Sequence, residues 1–170
     1  DFEDSKASLL GDYLPQKLGM DPGETVLSVL LPGDYKGHVL FFFENGKAAK
    51  VPVSAYETKT NRRRLTGAYS DKSPLKALMV LTEETDIVCY STDGRTLVFN
   101  TTLLQTKASR NTQGVAVMSL KPRRSLERAE LLGESPVKNV SRYRVRSLPA
   151  AGALLKAEDR EEQQLSLIDE

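Results

Sequence analysis

Two apolar runs dominate the chain, Val39-Leu40-Phe41-Phe42-Phe43 and Ile87-Val88-Cys89-Tyr90, and each leads into an asparagine- or aspartate-glycine pair, Asn45-Gly46 and Asp93-Gly94, then a cation, Lys47 or Arg95. A run that is apolar at every position is the pattern of a strand covered on both faces. An Asn-Gly or Asp-Gly pair between strand-like runs predicts a β-hairpin, with a type I′ turn as the expected geometry. The two stretches superpose without gaps at an offset of 48, from His38 to Asp86. The return strands are read at 47–53 and 95–101. The same offset carries Tyr56 onto Leu104, Lys59 onto Lys107 and Arg62 onto Arg110; after one slipped residue Gly67 falls on Gly114. Further strands are expected at 75–81 and 115–120.

A repeat of this length built from about four short strands is the signature of a propeller-like blade. The expected fold is therefore all-β, a partial ring of two to three blades preceded by a short helical segment. Its parts are a lead-in at 1–24, blades over 25–155 (repeats 38–85 and 86–133, a partial third at 134–155) and an acidic, flexible tail at 156–170. Leu10, Leu14 and Leu18 place the helix in the lead-in. A strand at 25–30 precedes the first hairpin as 75–81 precedes the second, which suggests that each blade borrows a strand across its boundary. The period-two stretch 141–147 is the candidate strand of the third unit.

Composition narrows the chemistry. Cys89 is the single cysteine and His38 the single histidine, so an internal disulfide, a cysteine or histidine metal site and a Ser-His triad are not expected. Cys89, Phe41, Phe42, Phe43 and Tyr90 read as core. Asp34, Asp71 and Asp86 are scattered among turns without the spacing of an ion-binding loop. No apolar run approaches the ~20 residues of a membrane span, and the first residues lack the pattern of a secretory signal, so a cytoplasmic setting without membrane contact is expected. The net charge of +1 conceals a gradient. Lys47, Lys50, Lys59, Arg62, Arg63 and Arg64 oppose Glu57 alone; Arg95, Lys107, Arg110, Lys121, Arg123, Arg124 and Arg128 oppose Glu127 alone; the tail is acidic. The loops 58–64 and 106–112 mix these cations with hydroxyl and amide donors, the groups that contact phosphate oxygens, at equivalent repeat positions. Few aromatic residues accompany them, which favours duplex DNA over single strands. Arg142-Tyr143 reads as part of a strand.

At Phe41-Phe42-Phe43-Glu44-Asn45-Gly46-Lys47-Ala48-Ala49-Lys50-Val51-Pro52, and again at Asp93-Gly94-Arg95-Thr96-Leu97-Val98-Phe99 with Lys107-Ala108-Ser109-Arg110, the sequence resembles the repeat of the C-terminal domains of the A subunits of DNA gyrase and topoisomerase IV, in a form similar to short-tailed Gram-positive relatives. The resemblance spans roughly residues 25 to 125. It implies a β-pinwheel whose blades exchange strands and whose basic rim binds and bends duplex DNA without sequence specificity. The implied DNA-binding residues are Lys47, Lys50, Lys59, Arg62, Arg63, Arg64, Arg95, Lys107, Arg110, Lys121, Arg123 and Arg124. It also implies that catalysis, ATP and Mg2+ belong to the rest of the A subunit and to a B subunit, with no cofactor in this chain, and places the chain at the nucleoid. Asn61-Arg62-Arg63-Arg64-Leu65-Thr66-Gly67 keeps two arginines and the last glycine of the gyrase box Gln-Arg-Arg-Gly-Gly-x-Gly but loses its middle pair, so gyrase-style chiral wrapping is not implied. The alternative is a protein-interaction module whose basic loops dock an acidic partner.

Overall fold

The computed structural model describes residues 20–22, 25–26, 34–58 and 65–160. The lead-in helix, most of the strand expected at 25–30, the loop 59–64 and the tail after Arg160 lie outside the described residues. Among the described residues the strands are β1 (His38–Phe43), β2 (Lys47–Pro52), β3 (Leu75–Leu81), β4 (Asp86–Ser91), β5 (Arg95–Asn100), β6 (Val115–Ala116), β7 (Leu126–Leu131) and β8 (Ala153–Leu154), with a one-turn helix α1 (Val140–Tyr143). They form two four-stranded antiparallel sheets, β3-β1-β2-β6 and β7-β4-β5-β8.

The two predicted hairpins are present, with Phe42 opposite Ala48 and Tyr90 opposite Thr96. The turns differ from the expected type I′. Gly46 and Gly94 have φ of 79° and 77°, whereas Asn45 and Asp93 do not enter the positive-φ region. Gly46 N–H donates to Phe43 O and Gly94 N–H to Ser91 O, both at 3.0 Å. Each is a three-residue hairpin loop closed by a left-handed glycine, with Asn45 Oδ1 accepting from Lys47 N–H at 3.1 Å.

Strand exchange occurs, through different strands from those expected. The strand at 75–81 stays with its own hairpin beside β1. The expected strand 115–120 shortens to β6, which leaves the second repeat and pairs with β2 of the first sheet, Ala48 opposite Val115; β8 pairs in the same way with β5, Thr96 opposite Ala153. A glycine seats each lent strand. A Cβ at Gly114 (φ +73°) would lie 2.0 Å from Ala48 O, and one at Gly152 (φ +72°) 2.7 Å from Thr96 O. Ala48 and Thr96 occupy the same place in the repeat. Gly67, the third member of the series, has φ +66° and nothing within 4 Å.

Strand parity sets the layers. Leu40, Phe42 and Ala48 of the first sheet pack against Ile87, Cys89, Leu97 and Phe99 of the second, with Leu104, Val117 and Met118 between them. Val39, Phe41, Phe43, Ala49 and Val51 form the core on the far side of the first sheet, and Val88, Tyr90 and Val98 that on the far side of the second. The apolar runs are buried at every position because both faces of each hairpin are covered. Full burial of one Phe side chain stabilises by about 2–3 kcal/mol.

Residues 132–160 do not build a third blade. They cross the far face of the second sheet, placing Val137 and Tyr143 on Val88, Tyr90 and Val98. The expected strand at 141–147 is replaced by α1, which follows Asn139 in the left-handed region (φ 49°). The Tyr143 hydroxyl donates to the fully buried Asp159, which also accepts from Asn139 Nδ2 and from Arg142 Nη1 at 2.7 Å. Three donors to one carboxylate make its burial tolerable. Tyr143 is accordingly a buried anchor, 1% exposed. Asp159 is thus tied into the fold, with Lys138 N–H donating to its carbonyl at 2.7 Å, while Lys156, Ala157, Glu158 and Arg160 are exposed.

Candidate nucleic-acid interface

The lent strand β6 is reached by a crossover loop, and the local chemistry fixes where that loop projects. Lys107 N–H donates to Lys50 O at 2.8 Å, and Gly114 lies against Ala48, so both ends of the loop 107–114 are held on β2. Between these anchors the chain turns on itself: Thr112 N–H donates to Ser109 O at 3.3 Å, Ser109 Oγ to Asn111 Oδ1 at 2.6 Å, and Gly114 N–H to Thr112 Oγ1 at 3.2 Å. Lys107 Nζ donates to Gln105 Oε1 at 2.8 Å. Arg110 reaches from the second repeat to the first, its guanidinium 6.0 Å from the centre of the Tyr56 ring. Burial pushes the Tyr56 phenol up to about 12 against the lowering effect of Arg110. It therefore stays neutral at physiological pH, and its hydroxyl donates to Ala68 O at 2.7 Å.

This loop and the corresponding loop of the first repeat flank a cleft of about 650 Å³, lined by Glu57, Leu65 and Gly67 on one side and by Ala108, Arg110 and Asn111 on the other. The arrangement presents a cation and amide or hydroxyl groups along the edge where successive repeats exchange strands. Lys59, Arg62, Arg63 and Arg64, on the first of these loops, lie outside the described residues.

The remaining predicted residues divide. Lys121, Arg123 and Arg124 are exposed on a turn beside the second hairpin tip, where Thr92 N–H donates to Ser125 O at 2.9 Å. Lys47 is partly exposed at the first tip. They belong to the tip end of the sheets, apart from Lys107 and Arg110. Arg95 is spent inside the fold: Nη1 donates to Gly152 O at 3.0 Å, and Nε lies 3.5 Å from Asp93. Lys50 leaves the set of phosphate contacts. It is 4% exposed, and its ammonium donates to Glu84 and to Thr101 O. These bonds from Lys50, then one from Thr101 Oγ1, hold the Glu84 carboxyl below its ordinary range. The sequence carried a signal for this, since the repeat equivalent of Lys50 is Val98, a core residue. Arg128 was absent from the predicted set; its guanidinium stacks 4.2 Å from the centre of the Tyr90 ring.

Sheets of four strands that lend an edge strand to the preceding repeat define the β-pinwheel, and the chain has that fold. Among solved structures it is similar to the C-terminal domain of DNA topoisomerase IV (TM-score 0.70, 17% identity, 88% of this chain and 52% of that one). It is similar also to the E. coli ParC C-terminal domain (0.63, 15%, 91% and 69%) and to the DNA gyrase A C-terminal domain (0.53, 20%, 70% and 43%). The chain spans about half the length of the first of these. No protein-family model and no curated protein matches it. Among the described residues no helix is long and apolar enough to cross a membrane, and no group of acidic, cysteine or histidine side chains could hold a metal ion.

Proposed function

We propose that the chain binds and bends duplex DNA without sequence specificity, as the C-terminal domain of a type IIA topoisomerase A subunit. In this reading it acts at the nucleoid of a bacterial cytoplasm, and ATP-dependent strand passage with Mg2+ is performed by the rest of the A subunit and by a B subunit. The observation that carries the reading is the cleft between the crossover loop of the second repeat, which holds Lys107 and Arg110, and the equivalent stretch of the first repeat, whose sequence holds Lys59, Arg62, Arg63 and Arg64. Cations mixed with hydroxyl and amide donors at a regular spacing suit a path of backbone phosphates, which carry affinity but no sequence information. Lys47, Lys121, Arg123 and Arg124 at the tip end extend the same basic field.

The test is affinity for a 40-base-pair duplex across a salt series. With roughly six phosphates engaged, log K falls against log salt with a slope of about −5, and removing Lys107 and Arg110 together makes the slope shallower by about 2. A salt-independent affinity, or an unchanged slope in the double variant, refutes the reading.

A further inference from the structure

The two hairpin tips occupy equivalent places in the repeat but are covered differently. At the first tip the chain leaving β6 passes directly over Gly46. Val117 and Met118 N–H both donate to Gly46 O, at 2.9 and 3.0 Å, and a Cβ on Gly46 would meet Met118 O at 2.5 Å and Leu120 Cδ1 at 3.0 Å. The slot over the first tip is filled by an extended segment of the protein itself. At the second tip only the first of these bonds recurs, from Leu155 N–H to Gly94 O at 2.9 Å. Lys156 N–H then turns away to the Tyr143 hydroxyl at 3.2 Å, and a Cβ on Gly94 would meet nothing within 4 Å.

The departure of the chain leaves a cleft of about 500 Å³ over the second tip, lined by Tyr90, Gly94, Arg95, Arg128, Leu155 and Arg160 among others. Its chemistry has also changed from that of the first tip. Phe42 opposite Ala77 is replaced by Tyr90 opposite Arg128. Two of the three arginines are held in place: the Arg128 guanidinium sits 4.2 Å from the centre of the Tyr90 ring with Nη2 3.9 Å from Glu130, and Arg95 is fixed by Gly152 O and Asp93. A planar, pre-positioned guanidinium is the group best suited to a carboxylate. The acidic groups nearby are Glu127 on the lining, Glu130 bonded to the Tyr90 hydroxyl at 2.6 Å, and Asp93 bonded to Ser91; the exposed turn with Lys121, Arg123 and Arg124 adds to the positive side.

We propose that this cleft docks an extended acidic peptide segment of a partner protein, laid across Gly94 as residues 117–120 are laid across Gly46. The filled slot at the first tip supplies the precedent for a backbone laid over the glycine, with Val117, Met118 and Leu120 as its apolar side chains, and Arg128 and Arg160 supply the charge preference. The site lies at the tip end of the second sheet, away from the cleft between the crossover loops, and does not depend on the DNA reading.

The test uses the full 170-residue chain and a fluorescent peptide, Asp-Glu-Val-Met-Glu-Leu-Asp-Glu, with fluorescence anisotropy and amide NMR as readouts. Saturable binding should move the Gly94 amide resonance, and Arg128→Ala with Arg160→Ala should weaken it by about tenfold or more. The Lys107→Ala, Arg110→Ala variant should leave it unchanged. Because the NMR readout is made on the unaltered chain, a folding defect in the arginine variant does not decide the matter. The proposal is overturned if the Gly94 amide does not move, if inorganic phosphate displaces the peptide at concentrations comparable to those of the peptide, or if the 40-base-pair duplex displaces it with the affinity it shows at the crossover loops.

Discussion

Replacing Gly114 by alanine tests whether the lent strand is a structural element or an incidental contact. The substitution puts a side chain into a left-handed backbone, which costs about 1–2 kcal/mol at any position. At Gly114 the new Cβ would also stand 2.0 Å from Ala48 O, where ordinary contact begins at 3.4 Å. Backbone atoms must therefore part, β6 must lift from β2, and Val117 and Met118 must loosen from the core between the sheets. Two strained ladder bonds and partial re-exposure of two buried apolar side chains add roughly 2–4 kcal/mol. At Gly67 the φ is similar, +66°, but the space is open, so only the backbone cost applies. At Gly152, where the contact is 2.7 Å, the loss should be intermediate. The assay is urea unfolding of the three alanine variants, followed by far-UV circular dichroism and compared at a common slope. If Gly67→Ala is as damaging as Gly114→Ala, within about 0.5 kcal/mol, the seat of the lent strand does not hold the repeats together and the reasoning fails.

Lys50→Ala should destabilise the fold by about 1–3 kcal/mol, because Glu84 and Thr101 O lose their donor, yet leave the salt slope of DNA binding unchanged; a shallower slope would put Lys50 back among the phosphate contacts. The hydrogen bond from Tyr143, then that from Asn139, with Arg142 adding to them, lowers the Asp159 carboxyl to about 2. A depressed folded value means that its stabilisation is complete above the unfolded value near 4 and is lost as pH falls towards 2; Asp159→Asn should flatten that part of the stability–pH curve measured by thermal melting. Burial raises the Cys89 thiol well above its ordinary value, so Ellman's reagent should label it only after unfolding, and rapid labelling of the native chain would contradict its place between the sheets.

The hairpins were legible because two signals agreed, an unbroken apolar run and a glycine at the turn, and because the same pair occurred twice. β7 was not legible: Glu127, Arg128 and Glu130 interrupt its apolar residues, as they can on a strand at the edge of a sheet with one face open. α1 was misread because 141–147 alternates as a strand does, while its fate was decided by Asp159, a partner outside that window. The basic loops were recognised from composition and repetition. The burial of Lys50 was signalled by its repeat equivalent Val98, but its partner Glu84, 34 residues away, is carried by no local pattern. The glycine series 67, 114 and 152 was half visible, since the sequence aligned the first two but gave no reason for them. The reason is the approach of one backbone to another.

The exchange of β6 has a mechanical consequence. Had the sheets been joined only through the turn at 82–85, that turn would be a hinge, and the angle between them would drift with thermal motion. Instead the chain crosses between them three times, through 82–85, 101–114 and 117–125, and the second and third crossings are anchored by ladder bonds and by Gly46 O. Three separate attachments restrict the rotational freedom that one leaves. The pair of sheets therefore moves as a bracket, and a force applied at the crossover loop of the second repeat is carried directly into the backbone of the first.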